Sequence, residues 1–97
     1  MAITTRPFDA AKYLIEETDQ IDLIIDALDT GNAGYIAAAL GTIARARGMS
    51  TVAGETGLSR QSLYTALSAT GNPTLETVLK VLDALGLKLT AKVREAA

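Results

Sequence analysis

Residues 50–69, STVAGETGLSRQSLYTALSA, decide the fold, because they contain two short helical patterns separated by a turn signal. Ser50 can cap a first helix over residues 51–56. After the turn, Ser59 can cap a second helix over residues 60–69. Two short helices joined by a glycine-containing turn are the layout of a helix-turn-helix, whose second helix enters the major groove of DNA. We therefore predict a helix-turn-helix.

The apolar residues of this stretch lie where that layout requires them. The turn contains Gly57, and Leu58 can fill the space beneath it. Ala53 is small enough for two helices to cross steeply at its position. Leu63 and Leu67 are four residues apart, so both side chains of the second helix can point into a core. The remaining positions of that helix are left for solvent or a partner.

The outward positions of the second helix carry side chains that can read DNA. Arginine can bond both acceptors of a guanine edge, glutamine pairs with adenine, and serine accepts several partners. These residue types stand together as Arg60, Gln61 and Ser62. A serine at the helix start can hold a phosphate, and residues one turn later can reach the sugar-phosphate backbone or a base methyl group. The predicted DNA contacts are Ser59, Arg60, Gln61, Ser62, Tyr64 and Thr65.

Helical patterns also flank this stretch. They predict a short helix over residues 9–17, a second one capped by Asp19, a third from Ala33 to Arg47, and a last one capped by Thr74 and closed by Gly86. Gly41 and the alanines around it allow another helix to approach the third one closely. Two of these helices have a predicted inward stripe of apolar residues. The stripes are Ile21, Ile24, Ile25 and Leu28 in the helix capped by Asp19, and Leu75, Val78, Leu79 and Leu82 in the helix capped by Thr74.

Residues 87–93, LKLTAKV, alternate apolar and polar side chains, which is typical of a β-strand. A lone strand needs a partner, either from another chain or from another segment of this one. The predicted fold is all-α: a five- to six-helix, lambda-repressor-like helix-turn-helix domain with a short C-terminal strand. We expect a single domain over residues 1–97, with an acidic helical segment at 1–31, the helix-turn-helix bundle at 32–86 and the strand at 87–94.

The composition excludes most catalytic chemistry. The chain has 97 residues with no histidine and no cysteine, which argues against zinc fingers, cysteine nucleophiles and imidazole bases. Its serines have no adjacent base, and its glycines form no phosphate-binding loop that ends in lysine. We predict no enzymatic activity, no metal and no cofactor. The N-terminus lacks a secretory pattern and no stretch is long enough to cross a bilayer, so we expect a cytoplasmic protein.

Charge is divided unevenly along the chain. The formal net charge is -2, with the acidic residues concentrated in the first thirty positions and the basic ones after them. The acidic helix carries Asp19, Asp22, Asp26 and Asp29 opposite its predicted apolar stripe. The simplest interpretation is a helix face that contacts solvent. A metal site or an acid–base site would need a second acidic cluster opposite these residues, and the sequence has none. The functional alternative is a docking surface for a basic protein.

The remaining basic residues have two interpretations. Arg45 and Arg47 end the third helix, where cations complement the helix dipole, and they can also contact DNA phosphates. The other cations are best interpreted as solvated surface residues: Lys80, Lys88, Lys92 and Arg94.

The run from Gly48 to Leu87 resembles the Xre-type helix-turn-helix of the probable addiction-module antidote proteins, which are HigA-like antitoxins. The resemblance is most specific in Leu58–Tyr64 and in Gly71–Leu75, and it extends upstream to Phe8–Leu14. It departs from the usual pattern at three positions, Thr51, Gly54 and Thr65, where the family carries charged or long polar residues.

The resemblance implies a dimeric antitoxin that represses its own operon and binds a small basic toxin of the RelE/HigB kind. The expected partners are therefore double-stranded operator DNA, the toxin and a second copy of the chain, with no membrane. Two alternatives remain open. One is a free-standing helix-turn-helix repressor without a toxin, and the other is an interaction module that no longer reads DNA.

Overall fold

The computed structural model describes residues 17–95, and this part of the chain is all-helical. The helices are α1 (Glu17–Thr30), α2 (Ala33–Arg47), α3 (Met49–Thr56), α4 (Arg60–Ala66) and α5 (Leu75–Ala84). The helix predicted over residues 9–17 lies outside the described residues except for Glu17, the first residue of α1. None of the five helices is long and apolar enough to cross a membrane.

Several helix ends form where the sequence predicts them. Ser59 caps α4, and Thr74 caps α5 by accepting a hydrogen bond from the backbone N–H of Thr77 at 3.1 Å. Gly57 ends α3 in the left-handed conformation with φ of 74°. Gly86, with φ of 75°, follows α5 and lets the N–H of Leu87 return to the carbonyl of Leu82 at 2.8 Å.

Two predicted caps are wrong. Asp19 lies inside α1, so it does not begin that helix. Ser50 lies in the first turn of α3, because Gly48 separates α2 from α3 and the new helix begins at Met49. Gly48 has φ of 104°, a conformation that side chains strongly disfavour, and this allows one residue to serve both helix ends.

The core lies around α2, which contacts α1, α3 and α4, while α3 also contacts α4 and α5. The most deeply buried large side chains are Leu40, Ile43, Leu63, Val81 and Leu85. Ile24 and Ala27 belong to the same buried cluster, so α1 packs into the core of the other helices.

Gly41 is a point of close contact between α2 and Leu67, the residue that ends α4. A Cβ atom at Gly41 would lie 2.0 Å from the carbonyl oxygen of Leu67, well inside van der Waals contact. The predicted close approach at this glycine is therefore confirmed, and its partner is the backbone of residue 67. This contact fixes the distance between α4 and the centre of the molecule.

The predicted apolar stripes of α1 and α5 are each partly wrong. In α1 the buried residues are Gln20, Ile24 and Ala27, whereas Ile25 is 58% exposed and Leu28 is also exposed. Both helices contain more apolar residues than one face can bury, and packing against neighbouring helices selects one set of them. In α5 this selection buries Val81 and Leu82 and leaves Leu75 and Leu79 exposed.

The predicted strand is absent from the described chain, where residues 87–95 carry neither helix nor strand. A strand is defined by its backbone pairing, and no neighbouring segment among residues 17–95 supplies a partner. The alternating pattern of residues 87–93 therefore forms no strand in the described chain.

The contact at Gly41 predicts opposite effects for two glycine substitutions. Gly41→Ala should lower the free energy of unfolding by about 1–3 kcal/mol, because its methyl group meets the fixed backbone of residue 67. Gly54→Ala, inside α3 with open space around it, should raise the free energy by about 0.5–1 kcal/mol. Urea unfolding followed by circular dichroism measures both. Equal effects of the two substitutions would contradict the close contact.

Candidate nucleic-acid interface

Helix α4 presents a polar surface because its two leucines are held inside. Leu63 is fully buried and Leu67, the residue that ends the helix, is 3% exposed. With these side chains pointing into the core, the other side of the helix must face solvent. The predicted DNA contacts Ser59, Arg60, Gln61, Ser62, Tyr64 and Thr65 are all exposed.

The hydroxyl of Ser59 is already used at the start of α4. It accepts a hydrogen bond from the backbone N–H of Ser62 at 3.0 Å and donates one to the Ser62 hydroxyl oxygen at 2.8 Å. Ser59 therefore fixes where α4 begins, and its side chain positions Ser62. Arg60 and Gln61, in contrast, have no hydrogen bond or ion pair within the described chain.

A shallow concave surface with several polar side chains lies beside α4. It has a volume of about 690 Å³ and is lined on one side by Gln61, Ser62 and Thr65. The other side is the loop after α4, where Ser68, Thr70 and Asn72 contribute hydroxyl and amide groups. These three residues were not predicted as site residues. The run Thr70-Gly71-Asn72-Pro73 consists of residues that disfavour a helix, so it indicates a loop here, although it does not show on which side of α4 the loop lies.

The loop is held against α4 by Gly71. A Cβ atom there would lie 2.2 Å from the carbonyl oxygen of Ala66 and 2.6 Å from that of Thr65. Only glycine leaves room for the loop to turn so closely under the last residues of the helix. One side of the concave surface is therefore α4, and the other side is a loop that packs directly against α4.

The two arginines at the end of α2 are engaged within the protein. The Nε of Arg47 donates to Oε1 of Gln20 at 2.7 Å, and Nη2 of Arg47 lies 3.8 Å from Oε1 of Glu17. The side chain of Arg47 is only 29% exposed, so it connects α2 to α1. Arg45 is half-buried, and its Nη2 lies 3.5 Å from the hydroxyl oxygen of Thr42. These contacts hold the two side chains against the protein, and the phosphate contacts of Arg45 and Arg47 stay a prediction.

Few charged residues lie near α4 in the sequence. Between residues 48 and 72 the sequence contains one cation, Arg60, and one anion, Glu55. Lys80 on α5 is paired with Glu76 at 3.1 Å, one helical turn away. A ligand placed against α4 would therefore meet mainly neutral hydrogen-bonding groups.

The four aspartates of α1 are exposed, as predicted. Asp26 differs from the others, because its Oδ2 accepts a hydrogen bond from the hydroxyl of Tyr35 at 2.7 Å. This hydrogen bond raises the pKa of Tyr35 above its ordinary value, since the carboxylate favours the protonated phenol; slight burial and the negative charge of Asp26 act in the same direction. No group of three or more acidic residues among residues 17–95 could hold a metal ion.

A known protein family covers nearly all of the residues that the structure describes. A family model described as "Probable addiction module antidote protein" matches residues 4–93. The chain belongs to this family. An antidote in an addiction module acts on a toxin, so family membership implies a toxin partner and supports an antitoxin role.

This antidote-family chain is also similar to a protein of Haemophilus influenzae. The two are 49% identical over 84 residues, which cover 86% of each chain, and that relative is described as an uncharacterized protein. No solved structure matches the chain significantly.

The hydrogen bond between Tyr35 and Asp26 predicts a change in tyrosine titration. Asp26→Ala removes both the acceptor and the negative charge, so the pKa of Tyr35 should fall toward its ordinary value. Asp22→Ala, an exposed aspartate on the same helix, is the matched control and should leave the Tyr35 pKa nearly unchanged. NMR of the tyrosine ring resonances against pH measures this. An unchanged Tyr35 pKa in Asp26→Ala would refute the contact.

Proposed function

We propose that this antidote-family protein binds operator DNA as a dimer through α3 and α4, represses its own operon, and neutralises a toxin of the RelE/HigB kind. It acts without catalysis. In this proposal α3 and α4 are a helix-turn-helix, and α4 is the helix that enters the major groove.

The observation that carries the DNA-binding part is the exposed polar surface of α4. Buried Leu63 and Leu67 hold the helix, and Arg60, Gln61 and Ser62 extend from its first turn into solvent. Side chains at the start of a recognition helix are those that reach base edges. Arg60 suits guanine, Gln61 suits adenine, and Ser62 adds a donor and an acceptor. The neutral groups of the neighbouring loop can contact the sugar-phosphate backbone.

A dimer is part of the proposal because one α4 covers only a few base pairs. Two copies related by a two-fold axis place two recognition helices about one turn of DNA apart, and the operator then has matching half-sites. The specificity of each half-site comes from the same three side chains of α4.

Substitution of Arg60 or Gln61 tests the base contacts. Arg60→Ala and Gln61→Ala should each weaken operator binding by about 1–3 kcal/mol per half-site, while the melting temperature stays nearly unchanged because both side chains are exposed. Lys80→Ala is the matched control, since it removes a cation that is paired on α5. Fluorescence anisotropy with an operator duplex measures the affinities. Full affinity in both α4 variants would exclude the base contacts.

The low positive charge near α4 favours one alternative, an interaction module that does not read DNA. Salt dependence separates the two functions. A protein that makes several phosphate contacts loses affinity steeply between low and moderate salt. Weak binding with a flat salt response would favour the interaction module.

For toxin binding, the acidic surface of α1 is the proposed docking site. Asp19, Asp22, Asp26 and Asp29 are exposed on a helix that carries no basic residue. Opposite charge on a basic toxin would accelerate association. Such rim charges affect the association rate and its salt dependence more strongly than they affect the lifetime of a complex.

A triple variant tests this docking site without loss of the helix. Asp19→Asn, Asp22→Asn and Asp29→Asn together should slow association with a basic toxin of the RelE/HigB kind by about tenfold at low salt. Asp26 is kept because it holds Tyr35. Asp83→Asn, an exposed aspartate on α5, is the control. Surface plasmon resonance measures the rates. An unchanged association rate in the triple variant would remove α1 from the toxin interface.

A further inference from the structure

The segment of residues 87–95, here called the C-terminal tail, leaves the core at a fixed point. Gly86 lets the chain turn after α5, and the N–H of Leu87 donates to the carbonyl of Leu82 at 2.8 Å. Leu87 also packs against the core. Beyond it, residues 88–95 form no backbone–backbone hydrogen bond with any other part of the described chain. The tail is therefore anchored at its first residue, and its other contacts come from side chains.

The first half of the tail lies beside the middle of α1. Residues 87–90 form one side of an apolar groove of about 270 Å³, and Ile21, Ile25 and Leu28 contribute to the other side. Leu89 of the tail is 37% exposed, and Ile25 remains 58% exposed. The tail therefore borders this apolar surface of α1 without closing over it.

The second half of the tail brings positive charge to the end of α1. Lys92 and Arg94 border a second cavity, of about 390 Å³, together with Asp29. Helix α1 has no basic residue in its last turn, where a positive charge is favourable. Neither cation comes within ion-pair distance of an acidic group in the described chain, so the attraction acts across the cavity. Val93 is 93% exposed and contributes little apolar contact.

The surface of α1 that faces the tail combines apolar and acidic groups. Asp22 and Asp29 lie three residues before and four residues after Ile25, so the three side chains share one side of the helix. Such a surface fits a segment that offers an apolar side chain and a nearby cation. The tail has this chemistry, since Lys92 follows Leu89 by three residues.

We propose that the tail is an internal occupant of this surface of α1, and that a basic partner displaces residues 88–95 when it binds there. The partner then places an apolar side chain in the groove and a cation beside Asp29. A tail that covers α1 for part of the time lowers the apparent affinity of the partner in proportion to the uncovered fraction. The inference rests on the proposed function for the basic partner, whereas the contact between the tail and α1 stands without it.

A spin label tests where the tail lies, because the natural chain has no cysteine to interfere. Ala91→Cys carrying a nitroxide should broaden the amide resonances of α1 around Leu28 more than those of α4. Added salt should reduce this broadening, since charge holds the second half of the tail. A label at Thr70→Cys, on the loop after α4, is the control and should broaden α4 instead.

Two results of the labelling experiment would overturn the contact. One is equal broadening of α1 and α4 by the label at residue 91. The other is broadening of α1 that appears in full when spin-labelled chains without ¹⁵N are mixed with unlabelled ¹⁵N chains, because the tail then reaches α1 of another copy.

A competition experiment tests the displacement. The probe is a synthetic peptide with the sequence of residues 87–95, LKLTAKVRE. The full chain with Lys92→Gln and Arg94→Gln together should bind this peptide at least about threefold more tightly than the wild-type chain, because its own tail competes less. Lys80→Gln removes a cation on α5 and is the matched control, which should bind like the wild type. NMR titration of the α1 amides measures the affinities, and equal affinities in wild type and double variant would refute the competition.

The same double variant separates this inference from the proposed function. It should associate about threefold faster than the wild type with a basic toxin of the RelE/HigB kind, while Lys80→Gln should not. Toxin binding that the double variant leaves unchanged would overturn the inference and keep the proposed docking site. Peptide competition without any toxin binding would keep the tail as the occupant of α1 and reject the proposed toxin partner.

Discussion

The approach of α2 to the end of α4 at Gly41 is the constraint on which the candidate site depends. With no side chain at this position, the backbone of residue 67 reaches the surface of α2. Leu63 and Leu67 are thereby drawn into the core, and the polar residues of α4 have only solvent to face. A helix of seven residues has little stability of its own, so its orientation is set by this contact and by the cap at Ser59.

The sequence predicts the helices around the site well because their ends carry strong local signals. Ser59, Thr74, Gly57 and Gly86 act through short-range hydrogen bonds or through a backbone conformation that glycine favours, and each does in the structure what its residue type indicates. Buried faces were predicted less well. Ile25 and Leu28 fit an apolar stripe, but the packing of α1 buries Gln20 and Ala27 instead.

Buried Gln20 explains part of that difference. Its Oε1 accepts a hydrogen bond from Arg47, so a polar residue is satisfied inside the protein and α1 is rotated toward α2. No pattern in the sequence pairs residues that are 27 positions apart. The same hydrogen bond involves Arg47. From the sequence alone, this arginine could either complement the dipole at the helix end or contact a DNA phosphate. Residues 87–93 show the complementary case, because their alternating pattern finds no partner strand in the described chain and forms no strand there.

The proposed function assigns a different partner to each of two helices. In this proposal the exposed start of α4 contacts DNA, and the acidic surface of α1 attracts a basic partner. The most direct test of this account is native mass spectrometry of the tagged protein expressed from its own locus. The account predicts two copies of this chain in a stoichiometric complex with a small basic protein. Recovery of the chain with copies of itself alone would contradict the antitoxin assignment and leave a free-standing repressor.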